Sequence, residues 1–149
     1  MNKVLVSSLK PRFKSGEKYL KSVASKILRV LKKDNFVLEI NLTDQGTMRK
    51  VNKRYRGADK PTNVLSFQES PNFPHPESKL NYLGEIYLCP DHIKKEARVN
   101  GITSYQLLIE SLLVHGVLHL LGYTHKNEND RIKMEQQERR LLKFLMTNS

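Results

Sequence analysis

The sequence predicts a single α/β domain, a small mixed β-sheet of about four strands with helices packed on it. Three observations carry that expectation. Apolar residues recur at three- and four-residue steps in some segments and alternate in others, in the order β-α-β-α-β-β-α-α-α. The 149 residues suffice for one proper core and show no internal repeat or second domain, so residues 1–149 form one unit. A helix near the C-terminal third carries histidines at a spacing that one helix face can gather.

Taken in order, residues 4–6 form a short apolar run that reads as a strand, and residues 11–16 read as a connection. From Glu17, Tyr19, Leu20, Val23, Ala24, Ile27, Leu28 and Leu31 mark an amphipathic helix. Phe36, Leu38, Ile40 and Leu42 then alternate with Val37, Glu39 and Asn41, the pattern of a half-buried strand. Thr43 or Asp44 caps a second helix with the narrow apolar stripe Met48, Val51 and Tyr55. Its other side carries Arg49, Lys50, Lys53 and Arg54, and Arg56-Gly57 closes it. Residues 64–67 read as a strand. Residues 68–82, with Pro71, Pro74 and Pro76, read as a long loop, either functional or a plain connector.

Residues 84–88 read as a further strand, and Pro90 and Gly101 bracket a helix over 91–99. Thr103 with Gln106 offers a capping box for the histidine helix. Asn127 or Asn129 caps a final helix reaching about Leu145.

The formal net charge of +11 is unevenly spread. Residues 1–60 hold 16 of the 26 Lys and Arg and 5 of the 15 Asp and Glu, and the remainder balances. That asymmetry points to a polyanion, either nucleic acid or an acidic membrane surface, with nucleic acid placed ahead of a merely solubilising surface. The single cysteine, Cys89, excludes an intramolecular disulfide, suits a reducing cytosol and reads as a small buried hydrophobe. No apolar N-terminal run precedes a cleavage site and no stretch approaches a membrane span. The expectation is a soluble, unprocessed, cytoplasmic protein with no membrane partner.

The chemistry concentrates in residues 115–125, His-Gly-Val-Leu-His-Leu-Leu-Gly-Tyr-Thr-His. His115 and His119 lie one helical turn apart on one face. Gly122 suits the left-handed residue that ends a helix, and the reversal brings His125 toward the other two imidazoles. Three protein ligands with an open fourth position describe a catalytic zinc site. Core histidines, or a structural ion with a fourth ligand, remain the alternatives. The spacing is zincin-like, shared with the metzincin proteases, but those carry glutamate where this chain has Gly116. Without that general base, peptide hydrolysis by the same route is disfavoured. Gly116 is also expected to leave space beside the metal for a bulky phosphodiester.

Three blocks together resemble the YbeY family of bacterial rRNA-maturation endoribonucleases over nearly the whole chain. They are Arg-Tyr-Arg-Gly-Ala-Asp-Lys-Pro-Thr-Asn-Val-Leu-Ser-Phe (54–67), Leu-Gly-Glu-Ile (83–86) and residues 115–125. The resemblance implies one Zn2+ per chain and cleavage of single-stranded RNA in 16S rRNA 3′-end maturation and ribosome quality control. Its implied partners are 16S rRNA precursor and ribosomal particles. By position, His115, His119 and His125 match the metal ligands, with His115 and Arg56 as the catalytic pair. Lys50, Lys53 and Arg54 join Arg56 as expected RNA contacts. Two positions depart from the family pattern: Thr124 and Glu85 stand where aspartate is common. The expected reaction is metal-assisted phosphodiester hydrolysis, with Arg56 neutralising charge on the non-bridging oxygens. The competing reading is an RNA-binding assembly factor with a structural metal and no turnover.

Overall fold

The computed structural model describes residues 1–68 and 80–147. Along the chain come β1 (Lys3–Ser8), a short 3-10 helix (Pro11–Gly16), α1 (Glu17–Val30), β2 (Phe36–Leu42), α2 (Gln45–Arg56) and β3 (Val64–Phe67). They are followed by β4 (Asn81–Leu88), α3 (Pro90–Val99), α4 (Tyr105–Leu120) and α5 (Glu128–Thr147). The four strands form one sheet in the order β1-β2-β4-β3. β1 and β4 both run parallel to the central β2, while β3 is antiparallel to β4. The α1 crossover makes the β1–β2 pairing parallel, because parallel neighbours need a long connection.

Alternation along the strands separates two apolar clusters. Leu38, Ile40, Ile86 and Leu88 face the main core with α1, α4 and α5. Leu65, Phe67 and Tyr87 face a smaller cluster with Met48 and Val51, so α2 covers the other side. α4 is apolar on nearly every side because it is enclosed by the sheet, α1, α3 and α5. Its buried Ile109, Leu113, Val117 and Leu118 fix the depth at which the histidines emerge.

Several local expectations are resolved or corrected. Asp44, not Thr43, caps α2, its Oδ1 accepting from the Thr47 amide at 2.7 Å. Asn127, not Asn129, caps α5 through the Asp130 amide at 2.8 Å. The capping box of Thr103 and Gln106 does not form: Ser104 is the cap, accepting from the Leu107 amide at 3.2 Å. With the helix starting at Tyr105, its third residue is Leu107, which has no carboxamide to reach back. β4 begins at Asn81, three residues before the expected start. A bulge lets Tyr82 pair with Val37 and Gly84 with Leu38, which hid the strand's period. The expected loop thus loses residues 81–82; its residues 69–79, with Pro71, Pro74 and Pro76, lie outside the described residues. Of the α2 stripe, Met48 is buried but Tyr55 is exposed, and the buried partner is Asn52, whose Nδ2 donates to the Lys60 carbonyl at 2.9 Å.

Two glycines set how closely α4 and the sheet approach. A Cβ on Gly116 would stand 3.1 Å from Ile86 Cδ1, so this position faces the sheet and not the metal site. The expectation that Gly116 leaves room for a substrate is therefore wrong; the room is occupied by Ile86. Gly84 has φ 150°, and a Cβ there would stand 2.5 Å from the Phe67 carbonyl oxygen and 2.6 Å from Leu120 Cδ2.

These distances predict opposite outcomes for the same substitution. Gly84→Ala drives carbon into backbone at a strained φ and should cost more than about 3 kcal/mol. Gly116→Ala meets only the flexible end of Ile86 and gains about 1 kcal/mol of helix propensity, so it should stay within about 1 kcal/mol of wild type. Urea melts of both variants check this, and equal losses would contradict the described helix–sheet contact.

Candidate metal centre

α4 ends in a Schellman turn, and that turn builds the site. The Gly122 amide donates to the His119 carbonyl at 3.0 Å and the Tyr123 amide to the Leu118 carbonyl at 3.0 Å. Gly122 sits at φ 99°, in the left-handed region the motif requires. The reversal carries the Tyr123 carbonyl back under His119, 2.9 Å from its Nδ1. A carbonyl can only accept, so the His119 proton lies on Nδ1 and the Nε2 lone pair is free to act as a ligand.

His115 is oriented in the same sense by a different group. Its Nδ1 lies 3.3 Å from Glu138 Oε1, on α5. A carboxylate acceptor again puts the proton on Nδ1. Both Nε2 lone pairs then converge, with the two nitrogens 2.9 Å apart. Two lone pairs facing each other at that distance repel unless a cation lies with them. The third ring, His125, has its centroid 5.4 Å from His115 and 5.3 Å from His119. One ligand atom from each of the three lies within 4.8 Å of the others. Tetrahedral zinc with Zn–N of about 2.0–2.1 Å implies N···N separations of about 3.3 Å, so small ring adjustments suffice. His115, His119 and His125 therefore fit a divalent metal of zinc's type.

Electrostatics agree. The pKa of His119 is lowered first by burial, next by neighbouring His115, and then by His125 and the Arg56 charge, against a raising effect of the Tyr123 carbonyl. Lowering keeps the imidazole neutral and ligand-competent. Arg56 is the last residue of α2 and is exposed, and its charge is the weakest of the influences that lower the His119 pKa.

The remaining expected residues divide. Lys50, Lys53 and Arg54 are exposed on α2 and are not part of the histidine cluster. Asp59 offsets part of that surface, holding Arg49 at 2.7 Å and Lys53 at 3.9 Å. Glu85 is buried and its Oε1 accepts from Asn41 Nδ2 at 2.6 Å, a sheet contact. Thr124 Oγ1 donates to Asp130 Oδ2 at 3.1 Å, tying the turn before His125 to the first turn of α5. Glu138 and the Tyr123 carbonyl were missed from sequence: one is 23 residues from its partner, the other a backbone atom no motif displays. Cys89 is buried, as expected, and burial pushes its thiol pKa up.

The fold and the site define a class: an α/β domain whose central helix and its terminating turn gather three histidines able to hold one metal ion. The sequence profile of the family "Endoribonuclease YbeY" matches residues 8–146, and the chain belongs to that family. Its relatives include the Endoribonuclease YbeY of Persephonella marina, 38% identical over 128 residues, covering 85% of this chain and 80% of the relative. The Endoribonuclease YbeY of a Sulfurihydrogenibium species is 36% identical over 140 residues, covering 93% and 90%. That of Neorickettsia sennetsu is 37% identical over 138 residues, covering 91% and 92%. A solution structure of a Thermotoga maritima protein superposes with a TM-score of 0.57, covering 95% of this chain and 87% of that one at 22% identity, which speaks for the fold.

Purified protein is expected to carry about one metal ion per chain, and His115→Ala, His119→Ala and His125→Ala should each lose it. Glu138→Gln keeps the shape but removes the anionic acceptor, and should weaken metal affinity about 10–100-fold. Chelator competition followed by metal analysis measures both. Full occupancy in two of the three alanine variants would contradict the three-histidine site.

Proposed function

We propose that this protein is a zinc-dependent endoribonuclease that cuts single-stranded RNA in the cytoplasm, acting on 16S rRNA precursor within ribosomal particles. The observation that carries the reading is the convergence of three imidazoles, two of them fixed as Nδ1–H tautomers, into one cluster able to hold a metal ion. Membership of a family whose relatives are named endoribonucleases supplies the reaction class. Among the described residues no helix is long and apolar enough to cross a membrane.

When bound, a zinc ion supplies water with a pKa of about 7 and polarises a phosphoryl oxygen. The protein's own groups do the rest. His115, His119 and His125 would hold the ion, leaving a fourth position open. Glu138 and the Tyr123 carbonyl keep the first two rings aligned and their Nδ1 protons in place. Arg56 meets the non-bridging oxygens, where a planar guanidinium can bond two at once. Its backbone is held as the last residue of α2, and Asn52 pins the following segment at Lys60. The direction of Gly116 excludes a neighbouring glutamate base of the protease type: a side chain there would enter the packed sheet at Ile86.

Arg56→Ala should retain metal and most RNA affinity while reducing turnover about 10²–10³-fold, the usual loss for one preorganised charge-stabilising donor. Arg56→Lys should restore only part of it, because a point charge lacks the bidentate fork. Single-turnover cleavage of a defined RNA at saturating enzyme is the measurement, with His119→Ala as the contaminant control and thermal melts as the fold control. Equal rates for wild type and both Arg56 variants would remove Arg56 from the reaction.

A further inference from the structure

We infer that a second basic surface, the cleft between the C-terminal ends of α1 and α4 and the flank of α5, is a binding channel for the phosphodiester backbone of single-stranded RNA running on from the metal centre. The cleft measures about 810 Å³. Lys32, Lys33, Lys126, Lys133 and Arg140 line it, against the single carboxylate of Asp130. Two helix C-termini add roughly half a negative charge each, so about three positive charges remain in excess. Asp130 is itself engaged by Thr124. Among the described residues, the four lysines form no ion pair with a carboxylate.

The cations are brought there by structure and not by local sequence. Lys133 and Arg140 are seven residues apart on α5 and so share a face, with Lys126 just ahead of the helix. Apart from Asp130, the acidic groups of α5 lie elsewhere: Glu128 and Glu135 pair with Arg131, and Glu138 faces His115. Lys32 and Lys33 arrive from α1, which ends in the same Schellman turn as α4, with Lys32 N to Arg29 O at 3.0 Å and Lys33 N to Leu28 O at 2.9 Å. The left-handed position of that turn, φ 57°, holds Lys32 where glycine is usual. A side chain accepts backbone strain there, and the side chain is a cation at the mouth of the cleft.

Continuity with the metal centre identifies the occupant. Thr124 and Lys126, on either side of His125, both line the cleft. A strand lying in the cleft therefore passes directly beside His125. Tyr123 and Leu31 add a ring and apolar surface among the cations, the combination that suits unpaired bases on a phosphate backbone.

This inference rests on the endoribonuclease reading, and the test separates the two. Binding of an unstructured 16-nucleotide RNA by metal-loaded protein is followed by fluorescence anisotropy across a salt series. Wild type is compared with the reversal of Lys32, Lys33, Lys126 and Lys133 to Glu, with the same four changed to Ala, and with Lys50→Glu/Lys53→Glu/Arg54→Glu. The cleft reversal is expected to weaken binding at least about tenfold. It should also reduce the slope of log K against log salt by about 0.7 per lost phosphate contact, or about 2–3 in all. The alanine set should move both in the same direction by less, with metal content and melting temperature unchanged, which excludes misfolding. If wild type binds and cuts the RNA but both cleft variants keep its affinity and slope, the channel is overturned while the activity stands. If, in the same assay run with a labelled polyglutamate peptide, the cleft reversal abolishes peptide binding while RNA binding stays intact, the channel is overturned in favour of an acidic protein partner. Failure of wild type to bind single-stranded RNA would remove both readings.

Discussion

The contact on which the site depends is the hydrogen bond from His119 Nδ1 to the carbonyl of Tyr123. It exists because Gly122 takes a left-handed φ that reverses the chain within one residue. Without the reversal, His119 would choose its tautomer freely and His125 would continue away along the helix axis. One backbone conformation thus settles a protonation state and the approach of the third ligand together. α4 can hold this geometry because its depth is set elsewhere, by the close contacts of Gly84 with Leu120 and of Gly116 with Ile86.

α5 is more than a cover for the core. Met134, Leu141 and Leu145 are buried against the other helices. A second face presents Glu138 to His115, and a third carries Lys133 and Arg140 into the basic cleft. Three faces at different angles satisfy packing, ligand orientation and charge without competing. This division also explains why the helix has a weak amphipathic pattern, since its polar residues do not all face solvent.

The elements that could be read from sequence are those whose signal is local. Histidines four apart, a glycine three residues later and a third histidine beyond it disclose the centre, because helix pitch and a helix-ending turn are properties of adjacent residues. The order of strands and helices was legible for the same reason. Thr103 and Ser104 fit a cap equally well until the first helical residue, Tyr105, is known. The early start of β4 was masked by a bulge, which breaks the period-2 pattern. The side that Gly116 faces is not legible in sequence, because a helical residue's direction is defined only once the neighbour it packs on, here Ile86, is in place. Glu138 and the lysines of the cleft become partners only through tertiary packing, and a charge count over residues 1–60 and 61–149 spreads the lysines over both.

The three histidines all fall within residues 115–125, on one helix and the turn that ends it. A cross-link between such near neighbours closes only short loops, and the chain entropy it removes from the unfolded state is correspondingly small. The sheet, with its long-range parallel pairings of β1, β2 and β4, contains none of the ligands. An ion held there would be topologically peripheral to the fold, unlike the staple of a small zinc domain. On that topology, folding precedes the metal, and the chemistry would be acquired last.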